Sequence, residues 1–194
     1  MLTLHMLVSN EQELLPRLIN YVKPFVSDMI IVVDDASNDK TESIARTFTS
    51  KVLRTQLGFD FSAARNKGLE PVGTPWVFWL DADEWPTREL LLYIQNYIRS
   101  PGSMRKAGLI ITRETLIDGK PIGDLTYGKS IRVFRSGFQF VGRIHEGIAI
   151  NPQFCIEVPE NLLLLHHKTK ERQERANQFY MNWPEQRAII AHSE

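Results

Sequence analysis

The sequence predicts an α/β fold built on a sheet that is mainly parallel in its N-terminal half. Three observations support this prediction. Short, continuously apolar runs at 2–8, 29–33 and 75–80 have the pattern of strands that are buried on both faces. Segments with helical spacing of apolar residues separate these runs, as strand–helix–strand units require. Polar and acidic clusters follow two of the runs, at 34–39 and 81–84, where open α/β sheets hold their ligands.

The first half of the chain is expected to contain four strands and three helices. Asn10 is a candidate cap for the first helix, in which Pro16 stands early enough to be tolerated. Ser62 is a candidate cap for the third helix. The strands are predicted at 2–8, 29–33, 51–54 and 75–80, and the helices at about 14–22, 44–48 and 63–69.

After residue 83 the pattern changes to mixed or antiparallel β structure with a helix at each end. Asp118-Gly119 is a strong hairpin signal, because both residues tolerate the positive φ that a tight turn needs. The helices are predicted at 87–99 and about 170–183, and the strands at 108–115, 129–134 and 138–148.

Composition and charge exclude several classes of protein. The chain has 194 residues, of which 43% are hydrophobic and 24% charged, and this predicts one soluble globular domain spanning residues 1–194. A formal net charge of zero does not indicate nucleic-acid binding. The lone Cys155 rules out an internal disulfide framework and fits a reducing compartment. Without a signal-peptide pattern or an apolar run of ~20 residues, we expect a cytoplasmic protein.

The acidic residues after the apolar runs predict a site for a cation and a diphosphate. Asp81 and Asp83 directly follow the run at 75–80, so they stand at the carboxyl end of a buried strand. Two carboxylates one residue apart can bind a divalent cation and the diphosphate that it carries. Asp34 and Asp35 end another strand and are expected to reach the same crevice. The alternative is that these acids only form turns or cap the following helices.

Five segments together resemble the family 2 glycosyltransferases with the GT-A fold, in particular a bacterial subgroup with a late Arg-Ile-His-Glu segment. These segments are 6–11, 30–39, 59–66, 79–84 and 141–146, and the resemblance covers about residues 2–167. Ser9, Ala36 and Asn38 depart from the residues usual in this family. The resemblance implies a nucleotide-sugar-binding half at 1–100, an acceptor and catalytic half at 101–169 and a C-terminal helix at 170–194.

The resemblance also implies which residues bind the donor, a nucleotide diphosphate sugar for which UDP-glucose is favoured. Asp83 is the expected ligand of Mn²⁺ or Mg²⁺, and Asp81 contacts the ribose or the water shell of the metal. A histidine of the His166-His167 pair, assigned as His167, adds a metal ligand, although an ordinary partly buried histidine is the competing interpretation. The remaining candidate donor-binding residues are Val8, Ser9, Asn10, Glu11, Asp34, Asp35, Arg65 and Ala82.

Several of these assignments carry a specific chemical reason or a competing interpretation. Asp35 is preferred over Asp34 for the nucleoside. Arg65 suits bidentate recognition of the base or phosphate, because its guanidinium is a planar fork, but a surface salt bridge is the alternative. The backbone after the first strand, at 8–11, is expected to meet uracil.

For inverting transfer, the sequence offers Glu146 as the general base and His145 as a residue that positions donor or acceptor. A carboxylate must take the acceptor proton as the hydroxyl attacks, within hydrogen-bond reach. Asp124 and Glu84 are weaker rivals, and both Glu146 and His145 are open to a structural interpretation. The acceptor is expected to be a glycan, a lipid-linked glycan or another hydroxyl-bearing molecule. An aromatic and basic last helix leaves peripheral membrane contact open.

The sequence also allows two other classes of protein and contains a basic cluster of unassigned role. A phosphoacceptor receiver domain would explain Asp34-Asp35 and Asp81, with Lys129 as a later polar residue. A nucleotide-sugar-binding module without catalysis would explain the short acceptor region. A basic grouping on the β segments either meets an anionic ligand or forms a solvated face; its members are Lys129, Arg132, Arg135 and Arg143.

Overall fold

The computed structural model describes residues 1–122 and 127–181, which form a large mixed sheet with helices packed against it. In the first half, three helices connect four strands. The strands are β1 (Leu2–Val8), β2 (Asp28–Asp34), β3 (Val52–Thr55) and β4 (Trp76–Leu80), and the helices are α1 (Leu15–Val22), α2 (Thr41–Phe48) and α3 (Phe61–Leu69). Every pairing among these strands is parallel, in the order β3-β2-β1-β4, which confirms the predicted parallel half.

The second half extends the same sheet with strands of both directions and adds a separate two-stranded sheet. Its main elements are β5 (Glu84–Pro86), α4 (Arg88–Arg99), β6 (Gly108–Ile117), β7 (Lys120–Pro121), β8 (Tyr127–Arg135), β9 (Phe140–Val141), β10 (Gly147–Ile148), β11 (Cys155–Glu157), β12 (Leu164–Lys168) and α5 (Lys170–Met181). β8 joins β4 in the antiparallel direction, and the order continues through β6 and β12 to β5. The mixed second half is therefore as predicted, and the hairpin at Asp118-Gly119 joins β6 to β7.

Three local predictions were wrong. Asn10 does not cap α1: it has a φ of +55°, and its side-chain oxygen accepts a hydrogen bond from the Asn38 backbone N–H instead. The cap of α3 is Asp60 rather than Ser62, because the Asp60 carboxylate accepts from the Ala63 N–H at 2.9 Å. The segment 138–148 is not one strand but the short β9–β10 pair with a loop between them.

Helix α3 packs closely against the sheet through contacts with the buried residue His5 of β1. His5 is fully buried in β1, and its Nε2 lies 2.9 Å from the Arg65 carbonyl of α3. Burial lowers the pKa of His5 to about 3, so the ring is neutral and donates this hydrogen bond. Gly68 makes the close approach possible, since a Cβ there would lie 2.6 Å from a Val32 methyl carbon. Helix α3 is therefore fixed against β1 and β2.

None of the helices within 1–122 and 127–181 is both long and apolar enough to cross a membrane.

Candidate functional site

A polar crevice of about 500 Å³ opens where β1, β2 and β4 end, and many of the predicted site residues line it. The strand order places β1 between β2 and β4, so the crevice spans the ends of three strands rather than two neighbours. The predicted site residues in its wall are Val8, Ser9, Glu11, Asp34, Arg65, Asp81, Ala82, Asp83, His145 and Glu146. The structure thus brings together acids that are more than a hundred residues apart in the chain.

A buried ion pair supports the turn that carries Asp81 and Asp83. Glu84 is fully buried, and Arg132 donates to both of its carboxylate oxygens at 2.7 and 2.8 Å. The same carboxylate accepts from the Asp81 backbone N–H at 3.1 Å. The Arg132 guanidinium lies 3.8 Å from the centre of the Trp79 ring, which adds a cation–π contact. Glu84 supports the acidic turn and is enclosed, so it is not placed to act as a base.

Asp83 faces a histidine and an arginine from the last two described elements. His166 of β12 places Nε2 3.4 Å from the Asp83 carboxylate, and Arg172 of α5 approaches the same oxygen to 3.7 Å. Side chains alternate along a strand, so His167, which was assigned as the metal ligand, points to the other face and is exposed. The structure therefore brings His166, not His167, to the crevice.

Arg65 lies at the centre of the site, between two carboxylates. It donates to Asp81 and to Glu146, each at 2.7 Å, and its side chain is only 4% exposed. The guanidinium lies 4.6 Å from the centre of the Trp79 ring and 5.7 Å from that of Phe140. Its predicted contact with the nucleotide stays a prediction, whereas the surface salt bridge is excluded by this burial.

The loop that carries His145 and Glu146 is held in an unusual backbone conformation. His145 has a φ of +53°, a left-handed conformation that costs a non-glycine residue about 1–3 kcal/mol. Asn66 of α3 fixes the start of the segment by accepting from the Phe140 N–H and donating to its carbonyl, at 2.8 and 3.0 Å. The His145 ring stacks on Tyr180 of α5 at 5.9 Å between centroids. The loop is thus anchored at its start by Asn66 and, directly before the candidate base, by the His145 ring.

The residues at 8–11, which were predicted to contact uracil at the end of β1, do not all face the crevice. Val8, Ser9 and Glu11 line the crevice, whereas Asn10 turns away toward Asn38. Burial raises the pKa of the Glu11 carboxyl, which the charge and hydrogen bonds of Arg172 oppose.

Of the two acids that end β2, only Asp34 lines the crevice. It is 8% exposed and accepts a hydrogen bond from the Leu57 N–H at 3.2 Å. Asp35 lies outside this wall and forms an ion pair with Arg54 at 3.1 Å. The preferred assignment of Asp35 to the nucleoside remains untested, but its place is less suited to that role than that of Asp34.

The basic residues of the β segments do not form one patch. Arg132 is buried with Glu84, Arg135 stacks on Trp76 at 4.6 Å, and Arg143 lies 3.9 Å from Asp60. Lys129 lines the crevice, but its ammonium pairs with two exposed glutamates. Asp124, a rival base, lies outside the described residues.

Sequence reasoning missed the cations that β12 and α5 bring to the crevice. Arg172 donates two hydrogen bonds to Glu11, at 2.5 and 3.2 Å, across 161 residues of chain. Lys168 also lines the wall, and burial lowers the pKa of its ammonium. Arg172 belongs to the helix considered for membrane contact, and nothing in the helical pattern indicates which face meets the sheet. For β12, strand alternation after the apolar run was the available signal.

The side chains of Asp83 and His166 fit a divalent cation that is also bound by a diphosphate. Within the described ranges, no three His, Cys, Asp or Glu side chains are grouped as a metal site. Asp83 and His166 form a pair that faces the crevice, and Mg²⁺ or Mn²⁺ commonly takes one or two protein ligands while substrate phosphates and water supply the rest. One oxygen of Asp81 is already held by Arg65. Asp83 and His166 are therefore the residues present that suit a metal–diphosphate complex.

Comparison with known proteins identifies the class. The model of the family described as "Glycosyl transferase family 2" matches residues 3–108, which is more than half of the chain. The chain therefore belongs to glycosyl transferase family 2. Family membership overturns the receiver-domain alternative.

Individual relatives share part of this chain. A TPR repeat-containing protein of Synechococcus elongatus is 35% identical over 134 residues, which is 69% of this chain but 31% of that protein. A crystal structure of Staphylococcus aureus TarS residues 1–349 has a TM-score of 0.54 at 18% identity, covering 70% of this chain and 47% of that one. The TarS complex with UDP-GlcNAc gives 0.55 at 15% identity, covering 87% and 58%. These structures confirm the GT-A type of fold, and the chain spans less than two thirds of each relative.

Proposed function

We propose that this protein is an inverting, metal-dependent glycosyltransferase that moves a hexose from a UDP-sugar to an acceptor hydroxyl. The observation that carries the proposal is the crevice in which Asp83 and His166 lie within 3.4 Å of each other on the same wall as Glu146. A cation–diphosphate site and a carboxylate able to take a proton are the two parts that this reaction needs. Family membership supports the reaction class.

The nucleotide of the donor is inferred from the first two strand ends. Asp34 can accept from the base or ribose of a nucleoside, and the backbone at 8–11 borders the same space. TarS, which shares the fold, has been crystallised with UDP-GlcNAc, and this supports a uridine nucleotide as the first donor to examine. UDP-glucose remains the favoured sugar from the sequence resemblance, and UDP-GlcNAc is the direct comparison.

In this proposal the residues act on opposite sides of the bond that is broken. A divalent cation held by Asp83 and His166 would neutralise the charge that develops on the leaving diphosphate. Arg172 and Lys168 add positive charge beside it. Glu146 accepts the proton of the acceptor hydroxyl while the oxygen of that hydroxyl bonds to the anomeric carbon. The bond from that carbon to the diphosphate oxygen breaks, and the configuration inverts.

The acceptor side is proposed to lie along the loop of His145 and helix α5. The rings of Phe59 and Phe179 stack at 6.0 Å between centroids near that loop, and both are partly exposed. A glycan, a lipid-linked glycan or another hydroxyl compound is the proposed partner class, with peripheral membrane contact through α5 as one way of reaching it. A cytoplasmic site of action is part of the same proposal, because UDP-sugars are the proposed donors.

The test combines nucleotide binding with turnover. Calorimetry with UDP and Mn²⁺ should give Mn²⁺-dependent binding, which Asp83→Ala should abolish. Release of UDP from UDP-glucose or UDP-GlcNAc, with water or mixed glycans as acceptor, should fall about 10²–10⁴-fold in Glu146→Gln while UDP binding is kept. Near-normal turnover in Glu146→Gln would remove this residue from the role of base.

A non-catalytic nucleotide-sugar-binding module is the second candidate. The ion pair between Arg65 and Glu146 favours it, because a carboxylate oxygen that already accepts a hydrogen bond from a buried guanidinium is not free to take a proton from an acceptor. This module would bind UDP with Mn²⁺ but release no UDP from either donor, whatever acceptor is added.

A further inference from the structure

We propose that Arg65 is a positioning residue that joins the donor-binding carboxylate Asp81 to the candidate base Glu146, so that one guanidinium sets both halves of the site. This proposal rests on the proposed function and extends it. It assigns to Arg65 a role between the carboxylates, in addition to or in place of direct contact with the nucleotide.

The geometry of Arg65 supports a link rather than a simple ion pair. Its Nη2 donates to Asp81 and its Nε donates to Glu146, and both bonds are 2.7 Å long. These two acids are 65 positions apart in the chain: Asp81 directly follows β4 of the large sheet, and Glu146 lies in the loop between β9 and β10, which form a separate two-stranded sheet. Among the described residues, Arg65 is the cation that forms a salt bridge with each of them.

The guanidinium is also held in place by its surroundings. Trp79 lies against it at 4.6 Å, and Phe140 at 5.7 Å. The Arg65 backbone carbonyl accepts the hydrogen bond from buried His5, which ties the residue to β1. With its stem, ring contacts and backbone all fixed, Arg65 has little freedom to follow a moving carboxylate. The carboxylates therefore take their positions from Arg65.

Burial strengthens the bond to Glu146 more than the bond to Asp81. The side chain of Arg65 is 4% exposed and that of Glu146 is 12% exposed, so water screens their attraction little, whereas the Asp81 side chain is 34% exposed and its attraction to Arg65 is screened more. The charges of Asp81 and Glu146 raise the pKa of Arg65 despite its burial. Its Nη1 is buried and has no hydrogen-bond partner within the described part of the chain, so the bonds from Nε and Nη2 to the two acids are the ones that orient this guanidinium.

The consequence for the reaction concerns Glu146 most directly. One oxygen of this carboxylate accepts a hydrogen bond from Arg65, so the proton of the acceptor hydroxyl is transferred to the second oxygen. Freeing the carboxylate would let it rotate or move, and misplacement by about 1 Å can cost about 100-fold in rate. Lysine cannot replace the link, because a single ammonium lacks the fork that reaches two acids in fixed directions.

The experiment is a double-mutant cycle on UDP release from UDP-glucose or UDP-GlcNAc with Mn²⁺. The variants are Arg65→Met, Glu146→Gln and the two combined, with Arg65→Lys as the variant that keeps the charge. Arg135→Met is the matched control, since Arg135 also stacks on a tryptophan but binds backbone carbonyls away from the crevice. Melting temperature and circular dichroism verify that each variant is folded.

The expected pattern is a loss of kcat without a matching loss of UDP binding. Arg65→Met and Arg65→Lys should each lower kcat about 100-fold, while the Kd for UDP changes less than about 10-fold. Glu146→Gln should then cost less than about 5-fold in the Arg65→Met background, because the base is already misplaced. Arg135→Met should keep kcat.

The proposal is overturned if Arg65→Lys keeps normal kcat, or if the two substitutions multiply as independent effects. A fall in kcat that tracks a fall in melting temperature, equally in Arg65→Met and Arg135→Met, would show a merely structural role and also overturn it. These outcomes differ from failure of the proposed function, in which the unsubstituted protein itself neither binds UDP nor releases it from a UDP-sugar.

Discussion

The buried pair of Glu84 and Arg132 gives a sharp quantitative prediction about what holds the acidic turn. Arg132→Met removes both short hydrogen bonds to a carboxylate that is 0% exposed, while methionine preserves much of the apolar volume against Trp79. Breaking one partner of such a pair typically costs about 3–5 kcal/mol, because a buried charge is left uncompensated. Arg113, 3.4 Å from the same carboxylate, should keep the loss near the lower value, at about 3 kcal/mol.

Urea denaturation measures this loss as a change in the free energy of unfolding. The double variant Glu84→Gln with Arg132→Met should recover part of the stability, because it leaves no buried carboxylate without a cation. UDP affinity should remain reduced in the double variant, since the Asp81 N–H loses its charged acceptor. A loss below about 1 kcal/mol in Arg132→Met, with unchanged UDP binding, would mean that this ion pair does not support the acidic turn.

Three other predictions concern the cations, the histidines and the acid range. Arg172→Ala should weaken UDP binding about 10–100-fold in calorimetry, whereas Arg175→Ala, an exposed neighbour on α5, should leave it unchanged. His166→Ala should lower Mn²⁺ affinity in the presence of UDP at least ~10-fold, and His167→Ala should not; the reverse result would restore the original assignment. Although burial opposes it, the charge of Arg65 lowers the pKa of Asp81 from 3.8 to about 2. The contribution of the Asp81 carboxylate to folding stability is therefore complete above pH 3.8 and is lost as the pH falls through about 2. Acid denaturation of Asp81→Asn should lack the loss of stability in this pH range.

Sequence periodicity was sufficient for the parallel half of the fold because local patterns determine it. The runs at β1, β2 and β4 are buried on both faces, so each appears in the sequence as an unbroken apolar segment. The hairpin at Asp118-Gly119 was equally visible, since its turn demands particular residues. The segment 138–148 misled because its apolar residues serve as single core contacts, such as Phe140 against Trp79, and not as a continuous strand.

The acidic residues of the candidate site could be predicted from the sequence, but the side chains that contact them could not. A strand end shows where Asp81 and Asp83 lie, and the resemblance indicates Glu146. The sequence does not reveal that Arg65 joins Asp81 to Glu146, because this contact depends on how α3 lies on β1. The choice between His166 and His167 required the register of β12 with β6, in which His166 pairs with Thr115.

If the proposed function is right, one crevice binds the cation, the uridine nucleotide and the reacting sugar. A crystal structure of this protein grown with UDP and MnCl₂ is the decisive measurement. We expect anomalous density for manganese beside Asp83 and His166, with the diphosphate on the metal and the uracil toward Asp34. Nucleotide bound elsewhere, or a crevice that still holds Arg172 against Asp83 with no metal at saturating UDP and Mn²⁺, would contradict it.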